Sequence, residues 1–569
     1  MGVAKQDMLI PLIPSLCHRP EKEPAPRAVY DIEASTRRGK NGEGLEGLNS
    51  QFLGAGVYDG IRYHLERSDA ALHQRLFEPR FKGHAIYAHN GSRYDLKFLL
   101  PHIAKNQQAK IIQAGSRIWV MSEDRTIADS MALLPVSLAD AARALGCETQ
   151  KGEIDYENIE NMPWQEYLEK DCRATFEALE KLEGRVTDLG GNLRRTLAGT
   201  AMDLFRRKFL ESPIFREKGI EKYERAALYG GRTELFCTHA QKVKSYDISS
   251  SYSYAALSAV PIRFIGEAKI RDKYDDTDIV EASVDVPEMD YPPLPCRYDG
   301  KLLFPAGKWR SWFVGVELRH AEQFGVRTQI LRRLCYQSGP IFTRYVGALY
   351  AEKMAGNPAA KWLLNALYGR FAIRNDREKI LVSPDEIKKG YRIINKELEI
   401  YGVADHTKIF ACPAITATIN ARARIRLHEA LIRSNGTAIY CDTDGIKLSS
   451  PRKDNEPVDK IVGVGEWKYE GESQEFEARA PKTYRLDDKI WAKGICLSLN
   501  NREKKDPGFA LATWKSGSAE QWRMPGLIDQ LKNSLPAKSK SIIKNIGCDL
   551  TKRIFDVNGK STPIRINNI

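Results

Sequence analysis

The sequence contains no long hydrophobic run, no Cys-x-x-Cys pair and no internal repeat. No apolar stretch approaches the roughly 20 residues that a membrane-spanning helix needs. The start, MGVAKQDMLIPLIPSL, lacks the cleavage site of a signal peptide and, with Gln at position 6, the myristoylation pattern. The ten cysteines stand singly, which argues against a zinc ribbon or a disulfide scaffold. These absences predict a protein of a reducing, cytosolic setting that is not secreted.

Positive charge is in excess. The chain has 569 residues, of which 87 are Lys or Arg and 74 are Asp or Glu, so its formal net charge is +13. Its length predicts roughly three or four folding units. The charge favours a polyanionic partner, but a basic protein kept soluble by its charge fits the composition equally well.

The local patterns divide the chain. Residues 1–28 are charged and Pro-rich and predict a flexible extension, whereas residues 29–189 alternate strand-like and helical runs, as in an α/β domain. Further on, NPAAKWLLNALYGRFAI begins with Asn357 as N-cap and Pro358 at the first helical position. The preceding PIFTRYVGALYAEKMAG is also helical, so the two stretches predict an antiparallel helical hairpin.

The first group of carboxylates lies in the α/β region. Asp31 and Glu33, two apart on a strand, project from one face, where their oxygens could hold hard cations. Asp95 follows another strand, and Tyr167 and Asp171 share one face of a helix. The alternatives are a solvated strand edge for Asp31 and Glu33, an N-cap for Asp95 and core packing for Tyr167.

In order and spacing, this group resembles the three motifs of the 3'-5' proofreading exonuclease of family B DNA polymerases. The resemblance implies that Asp31, Glu33, Asp95 and Asp171 hold two divalent ions. Tyr167 would then orient the attacking water.

Two more stretches resemble the protein-primed subgroup of that family. KGEIDY is similar to its Lys-x-x-hydrophobic motif, so Lys151 would assist the exonuclease site. DSMALL is similar to its Ser-Leu-x-x-hydrophobic motif, with Met131 in place of leucine. The resemblance implies that Ser130, Asn90 and Tyr94 grip the single-stranded 3' end.

A second group of motifs follows. SYDISSSYSYAAL resembles the first palm motif of the family, DxxSLYP, with Ser251 and Ser253 replacing leucine and proline. Asp247 and the carbonyl of Ile248 would bind metal. Tyr252 would stack under the sugar and exclude a 2'-hydroxyl, although a buried tyrosine at a strand end is the alternative.

The predicted second helix of the hairpin carries nucleotide-binding groups. Lys361, Asn365 and Tyr368 fall at i, i+4 and i+7, on one stripe, and Gly369 permits close approach. A cation, an amide and an aromatic plane suit a nucleoside triphosphate, whereas the alternative is a helix with one polar seam. The stretch resembles the fingers motif KxxxNSxYG, from which Ala366 departs.

The stretch AIYCDTDGIKL predicts a β-hairpin with two acidic residues at its turn. It resembles the third palm motif, YxDTDS, from which Gly445 departs. The resemblance implies that Asp247 and Asp444 are the principal ligands of two Mg²⁺ ions, with Mn²⁺ as an alternative, and that Asp442 lies close by.

Three shorter stretches complete the resemblance. In APKTYRL, Lys482 and Tyr484 match a KxY motif at the primer terminus, and in TINAR, Thr418 and Arg422 match a TxxAR motif that contacts template. LYGGRTELF is similar to the YxGG hinge, with Leu228 in the tyrosine position.

The resemblance implies an α/β and α+β multidomain fold, in which a ribonuclease H-like exonuclease domain precedes a right-hand polymerase domain with two insertions. The expected parts are the exonuclease domain (29–189), palm (190–261 and 411–500), insertion one for a terminal protein (262–345), fingers (346–376), insertion two (377–410) and thumb (501–569).

The implied function is protein-primed DNA-directed DNA synthesis by two-metal phosphoryl transfer, with 3'-5' proofreading and strand displacement. The expected partners are primer-template DNA, deoxynucleoside triphosphates and a terminal protein, bound by a monomer or as a heterodimer. The expected setting is the cytoplasm of a cell or host, with an organelle matrix left open. The alternatives are a DNA exonuclease with a non-catalytic DNA-binding second domain, and a replication scaffold. The intact acidic residues at all seven motif positions count against the scaffold.

Overall fold

A computed structural model describes residues 10–13, 25–40, 46–122, 124–154, 159–217, 219–268, 273–374, 378–404, 411–457, 461–495, 507–533 and 540–567. Within these residues, no helix combines the length and hydropathy that crossing a membrane requires. Most of the predicted N-terminal extension lies outside the described residues.

The described helices and strands are numbered in chain order. Residues 10–217 form β1 (Ile10–Ile13), β2 (Arg27–Lys40), β3 (Glu46–Tyr58), β4 (Tyr63–Glu66), α1 (Asp69–Leu76), β5 (Ala85–Ala88), α2 (Asp95–Asn106), β6 (Ala109–Ala114), β7 (Arg117–Met121), β8 (Thr126–Asp129), α3 (Leu138–Leu145), α4 (Trp164–Asp188), α5 (Leu197–Leu204) and β9 (Ile214–Arg216). Residues 219–374 form α6 (Glu221–Ala226), β10 (Thr233–Leu235), β11 (His239–Ile248), α7 (Ser251–Ala255), β12 (Val260–Ala268), β13 (Ile279–Val286), β14 (Cys296–Tyr298), β15 (Lys301–Leu303), β16 (Ala306–Val314), α8 (Gly315–Glu322), β17 (Arg327–Gly339), α9 (Thr343–Met354) and α10 (Pro358–Arg370). Residues 378–567 form β18 (Glu378–Val382), β19 (Arg392–Asn395), β20 (Ile400–Ala404), α11 (Pro413–Arg433), β21 (Ala438–Asp442), β22 (Gly445–Ser449), β23 (Trp467–Ala480), β24 (Thr483–Leu486), β25 (Lys489–Ala492), α12 (Pro507–Ser516), β26 (Ser518–Arg523), α13 (Leu527–Lys532), β27 (Lys540–Asn545), β28 (Arg553–Phe555), β29 (Ser561–Pro563) and β30 (Arg565–Asn567).

A ten-stranded sheet forms the α/β region. Its order is β19-β20-β18-β6-β7-β8-β5-β2-β3-β4, and β2, β5 and β8 run parallel. Helix α4 packs on β2 and β3 through a buried stripe that includes Leu168, Ala178 and Leu182. The three strands from residues 378–404 belong to the predicted insertion two. They extend this sheet, because β18 pairs with β6, with Ile380 opposite Ile111.

A seven-stranded sheet, β10-β21-β22-β11-β23-β24-β25, forms the region expected to be the palm. Strands β21 and β22 pair as the predicted hairpin, with Asp442 opposite Gly445. Helix α11 packs against the neighbouring helices α6, α7 and α8. The acidic turn therefore lies at the ends of two interior strands of this sheet.

The predicted helical hairpin is confirmed as α9 and α10. The Asn357 side chain caps α10 by accepting a hydrogen bond from the Ala359 backbone N–H at 3.1 Å. A π-helix at 205–209 follows α5, and its Phe205 ring packs on Phe342 at a centroid distance of 5.0 Å and on Phe371 at 6.3 Å. Aromatic packing therefore fixes the hairpin to the segment that leaves the α/β region.

The C-terminal residues differ from the expected separate thumb. Strand β30 runs parallel to β16 and is the last strand of the five-stranded sheet β12-β17-β13-β16-β30, in the region of insertion one. Arg553 is buried and donates to the Asp290 carbonyl oxygen at 2.9 Å. Residues 553–567 of the predicted thumb therefore pack on the segment predicted to be insertion one, through the pairing of β30 with β16 and the contact of Arg553 with Asp290.

The two ends of the described chain add two further contacts. Residues 10–13, expected in the flexible extension, pair as β1 with β9. In α13, Gln530 donates to the Lys97 carbonyl oxygen of α2 at 2.7 Å, so part of the predicted thumb contacts the α/β region.

Candidate functional site

The four predicted exonuclease carboxylates come from three elements. Strand β2 carries Asp31 and Glu33, Asp95 is the first residue of α2, and Asp171 lies on α4. The Asp95 carboxylate accepts a hydrogen bond from the Ile32 backbone N–H at 3.0 Å, which fixes α2 against β2. Glu33, Asp95 and Asp171 are only 4%, 3% and 3% exposed. The structure therefore brings the predicted carboxylates together in a buried site.

Burial and mutual repulsion dominate the electrostatics of this site. Burial raises the pKa of Glu33 to about 8, with Asp171 adding to the rise, and raises the pKa of Asp95 to about 7. The pKa of Asp31 is raised well above its usual value by burial and by Asp95 and Glu33. Carboxylate oxygens are the preferred ligands of hard divalent cations, whose charge would relieve this repulsion. The donor set therefore fits divalent metal ions.

Lys151 and Tyr167 lie beside this set, as predicted. Lys151 Nζ is 3.1 Å from Asp171 Oδ2 and 5.7 Å from the ring centroid of Tyr167. A Cβ at Gly152 would lie 2.9 Å from Tyr167 Cδ2, so the absence of a side chain there lets the backbone next to Lys151 pack on α4. The ammonium group is therefore held next to both the phenol and a carboxylate.

The residues predicted to grip a single strand separate into two groups. Asn90, at a backbone φ of 60°, and Tyr94 are partly exposed, and the Tyr94 ring packs on Phe98 at 5.4 Å. Ser130 is fully buried, and its hydroxyl is 2.9 Å from His89 Nδ1. The structure thus brings Asn90 and Tyr94, but not the Ser130 side chain, to the edge of the site.

The second carboxylate set lies on the palm sheet. Asp247, near the end of β11, is opposite Gly445 on β22, and the Ile248 backbone N–H donates to the Asp444 carbonyl oxygen at 2.9 Å. Burial, Asp444 and Glu470 raise the pKa of Asp247 to about 7, and burial and Asp442 raise the pKa of Asp444. The carboxylates of Asp247 and Asp444 repel each other, and their oxygens are suitable ligands for divalent cations.

Asp442 is held differently from its two neighbours. Its carboxylate accepts hydrogen bonds from the Thr233 hydroxyl at 2.9 Å and the Tyr440 hydroxyl at 3.2 Å, and lies 3.1 Å from Lys482 Nζ. The Lys482 backbone N–H donates to the Tyr440 hydroxyl at 3.2 Å. These contacts join the KxY stretch to the acidic hairpin and orient Asp442.

The glycine loop before β10 supports the turn of the acidic hairpin. Thr443 has a backbone φ of 63°, and its N–H donates to the Arg232 carbonyl oxygen at 2.7 Å. A Cβ at Gly231 would lie 2.8 Å from Thr443 Cγ2. The absence of a side chain at Gly231 therefore leaves room for this turn.

Among the residues that the structure describes, no group of three or more His, Cys, Asp or Glu side chains meets the geometry of a metal site. Within each set the carboxylates are nevertheless close enough to raise one another's pKa.

The family model for DNA polymerase type B, organellar and viral, matches residues 75–166 and 162–460. The chain belongs to this family. A DNA-directed DNA polymerase from Enterobacteria phage PRD1 is 25% identical, over 78% of this chain and 82% of the relative. A probable DNA polymerase from Neurospora intermedia is 21% identical, over 77% of this chain.

The solved structure of Phi29 DNA polymerase with primer-template DNA and incoming nucleotide is similar over 93% of this chain and 100% of that one, with a TM-score of 0.69 at 17% identity. This likeness confirms the expected fold, an exonuclease domain followed by a right-hand polymerase domain. The chain spans about half the length of the fungal relatives, namely 54% of the Neurospora intermedia protein and 42% of the one from Ascobolus immersus. Family B DNA polymerases use divalent metal ions.

The helix predicted to belong to the fingers presents a polar stripe that differs in one position from the prediction. Lys361, Asn365 and Gly369 are exposed on α10. Tyr368 was expected on the same stripe but is buried, with its ring 5.4 Å from that of Phe342. The Tyr368 ring therefore packs in the core between the helices, and its contact with a nucleotide stays a prediction.

The template-binding residues expected in the polymerase differ as well. Thr418 is fully buried, and its hydroxyl donates to the Ala414 carbonyl oxygen at 2.9 Å. Arg422 donates to the Ala259 carbonyl oxygen at 2.6 Å, and burial lowers its pKa. Neither side chain extends freely from α11, whereas Tyr484 stacks on Trp491 at 4.9 Å beside Lys482.

Two residues that the motifs did not predict lie close to Asp247 or to the turn that follows it. Lys353 on α9 donates to the Ser250 hydroxyl at 2.9 Å, in the turn after Asp247. Glu470 is the unpaired residue of a bulge in β23 and raises the pKa of Asp247. Both lie outside the recognised motifs, and only the pairing of β23 with β11 brings Glu470 to the site. Tyr252 lies nearby, and burial and Asp444 raise its pKa.

Proposed function

We propose that the chain is a protein-primed DNA-directed DNA polymerase with 3'-5' exonuclease activity. The observation that carries this proposal is the presence of two separate carboxylate sets, one buried and one half-buried, in one member of the type B family. One set lies on β2, α2 and α4, and the other on β11 and the β21–β22 hairpin.

In the polymerase site, the chain's residues would bind and orient the substrates. Lys361 and Lys353 would receive the phosphates of a deoxynucleoside triphosphate, Tyr252 would lie under its sugar, and Lys482 would hold the primer terminus. When bound by Asp247 and Asp444, two Mg²⁺ ions, or Mn²⁺ in their place, supply the charge that favours the attacking 3'-alkoxide and neutralises the leaving pyrophosphate.

In the exonuclease site, Asn90 and Tyr94 would hold the single-stranded 3' end. The Lys151 ammonium group and the Tyr167 hydroxyl would orient a water toward the terminal phosphodiester. Divalent ions held by the four carboxylates supply the positive charge that this hydrolysis needs. Ser130 would act through His89, since its own hydroxyl is buried.

The priming partner is a separate part of the proposal. The Lys151 and Ser130 motifs support the protein-primed subgroup, whose insertion one contacts a terminal protein. In this chain, strands of the corresponding region form a five-stranded sheet together with β30. A heterodimer with such a protein, whose hydroxyl replaces the primer 3'-hydroxyl, and strand displacement during synthesis both follow from that subgroup.

The first test separates the two sites. Asp444→Ala is expected to abolish nucleotide addition to a primer-template while sparing degradation of single-stranded DNA, and Asp31→Ala to do the reverse. A wild-type chain that degrades DNA but adds no nucleotide with Mg²⁺ present would instead support the alternative, an exonuclease with a non-catalytic second domain.

The second test addresses priming. The purified chain is incubated with a labelled deoxynucleotide, its template and a candidate terminal protein. Label attached covalently to the protein supports protein priming, with the Asp444→Ala variant as the control. Label that enters only DNA primers would leave the polymerase function and remove the priming step.

A further inference from the structure

A buried ion pair lies beside the exonuclease site. Arg117, on β7, donates from Nη1 to Asp129 Oδ2 at 2.9 Å, and the Asp129 carboxylate is completely buried. Asp129 also accepts hydrogen bonds from the backbone N–H groups of Ser92 at 3.2 Å and Met131 at 2.9 Å. One carboxylate therefore fixes β7, the loop before α2 and the turn after β8 in a single arrangement.

The same guanidinium group reaches the edge where a strand would enter. Arg117 Nη1 is 3.5 Å from Asn90 Oδ1, and the Arg117 side chain is 22% exposed. Among the described residues, Nε and Nη2 of Arg117 have no hydrogen-bond partner. Neither nitrogen is fully buried. These two donors are therefore accessible to solvent.

The electrostatics place this pair close to the catalytic carboxylates. Burial lowers the pKa of His89 to about 4. The charge of Asp129 acts in the opposite direction and raises this pKa, whereas Lys151 and Arg117 lower it further. Asp129 in turn raises the pKa of Asp95. Arg117 and Lys151 thus act on the same imidazole.

We propose that Arg117 binds a backbone phosphate of the single strand whose 3' end enters the exonuclease site. The ion pair with Asp129 fixes Nη1, so the Nε and Nη2 donors form a preorganised fork that matches two oxygens of one phosphate. The proposal rests on the exonuclease function proposed above. It adds a strand-binding residue to Asn90 and Tyr94.

The test measures the degradation of a single-stranded oligonucleotide with Mg²⁺ over a range of substrate and salt concentrations. The double variant Arg117→Gln, Asp129→Asn removes both charges, so no buried carboxylate loses its cation. We expect KM to rise about 10-fold, while kcat stays within about twofold of the wild-type value. The slope of log(1/KM) against log salt concentration should become shallower by about 0.7, which is the value for one phosphate contact on a single strand. Arg117→Lys keeps the positive charge but loses the paired Nε and Nη2 donors. The salt slope should therefore equal that of the wild type, and KM should rise by about threefold.

Arg143→Gln is the matched control. Arg143 lies on α3 of the same domain, with 74% of its side chain exposed and an ion pair to Asp140 at 3.1 Å, so its KM and salt slope should equal those of the wild type. The proposal is overturned if the double variant keeps the wild-type KM and slope, or if kcat alone falls, since the pair would then only support the carboxylates. If thermal unfolding shows that the double variant is not folded, the Arg117→Lys variant provides the test instead. A wild-type KM in Arg117→Lys would then overturn the proposal. A wild-type chain that degrades no strand would overturn the exonuclease function itself, and this proposal with it.

Discussion

The carboxylate sets that we propose for the exonuclease and polymerase reactions differ in how they expose their charges. The exonuclease set is assembled from a strand and two helices, and three of its four members are nearly inaccessible. The polymerase set lies on neighbouring strands, and Asp442 at its hairpin keeps 31% of its side chain exposed. An open edge can receive a base-paired primer terminus and a nucleotide together, whereas a buried site suits a single strand end. The difference in burial therefore matches the two proposed substrates.

Each set also has a lysine partner at the same distance. Lys151 Nζ and Lys482 Nζ are both 3.1 Å from an aspartate oxygen. The Lys151–Asp171 pair is 20% and 5% exposed, but the Lys482–Asp442 pair is 50% and 31% exposed. Removing a cation from beside a buried carboxylate costs far more than breaking an exposed ion pair. The two pairs should therefore respond differently to the same substitution.

The largest expected effect comes from replacing these lysines by methionine. Lys151→Met should reduce single-strand degradation about 100-fold and lower the free energy of unfolding by about 2 kcal/mol. Lys482→Met should change the free energy of unfolding by less than about 1 kcal/mol and reduce primer extension about 10-fold. Nuclease and primer-extension assays measure the two activities, and denaturant unfolding in EDTA measures the free energy of unfolding of each variant. Equal losses of stability in the two variants would contradict the argument from burial.

Local sequence patterns predicted the elements that carry the sites. The Asn357 cap, the acidic hairpin and the helical spacing of Tyr167 and Asp171 depend on neighbouring residues, so they could be predicted from short stretches. Their assembly into two sets required the family resemblance, because the members of each set are far apart in sequence.

Non-local pairing accounts for what the sequence did not predict. Nothing in residues 378–404 indicates that β18 pairs with β6, and nothing near residue 565 indicates that β30 pairs with β16. The burial of Tyr368 depends on Phe342 from another helix, and the place of Glu470 depends on a bulge opposite β11. Such contacts are determined by tertiary packing rather than by local preference.

The second prediction concerns acid stability of the polymerase region. His320 Nε2 is 2.9 Å from His428 Nδ1, and His428 Nε2 donates to the Tyr291 carbonyl oxygen at 2.8 Å. Burial lowers the pKa of His320 to about 4, and burial, Arg232 and His320 lower the pKa of His428 to about 3. Both imidazoles are therefore neutral in the folded chain at neutral pH.

Below about pH 6.5 the unfolded chain takes up protons at these histidines and the folded chain does not, so stability falls as pH falls toward 4. Between pH 7 and 5.5 the loss should be about 1 kcal/mol for each histidine. Unfolding of the wild type and of a His320→Leu, His428→Leu variant across this range measures it. The variant should show a smaller decrease, and an equal decrease would mean that other groups carry the pH dependence.

The third prediction tests the support of the acidic turn. A Cβ at Gly231 would lie 2.8 Å from Thr443 Cγ2 and 2.9 Å from Thr443 Oγ1, so Gly231→Ala must displace the turn that carries Asp442 and Asp444. Primer extension should fall about 10-fold, while single-strand degradation stays at the wild-type rate. Gly184→Ala is the control, because that glycine lies in α4 with open space at its Cβ, and the alanine should stabilise the helix by about 0.5–1 kcal/mol. A loss of both activities in Gly231→Ala would show a general defect instead.

The smallest expected effect is at Gly445, where the family motif has serine. A Cβ at this position would lie 3.4 Å from Asp247 Oδ1 and 3.5 Å from the Tyr246 carbonyl oxygen. Both distances are those of ordinary van der Waals contact. Gly445 is not among the residues with positive φ, so a serine needs no strained backbone. Gly445→Ser should therefore change the extension rate by no more than about twofold, in contrast with Gly231→Ala on the other side of the same turn. Single-nucleotide incorporation kinetics measure this, and a 10-fold loss in Gly445→Ser would show that the contact with Asp247 limits the turn more than the contact with Gly231 does.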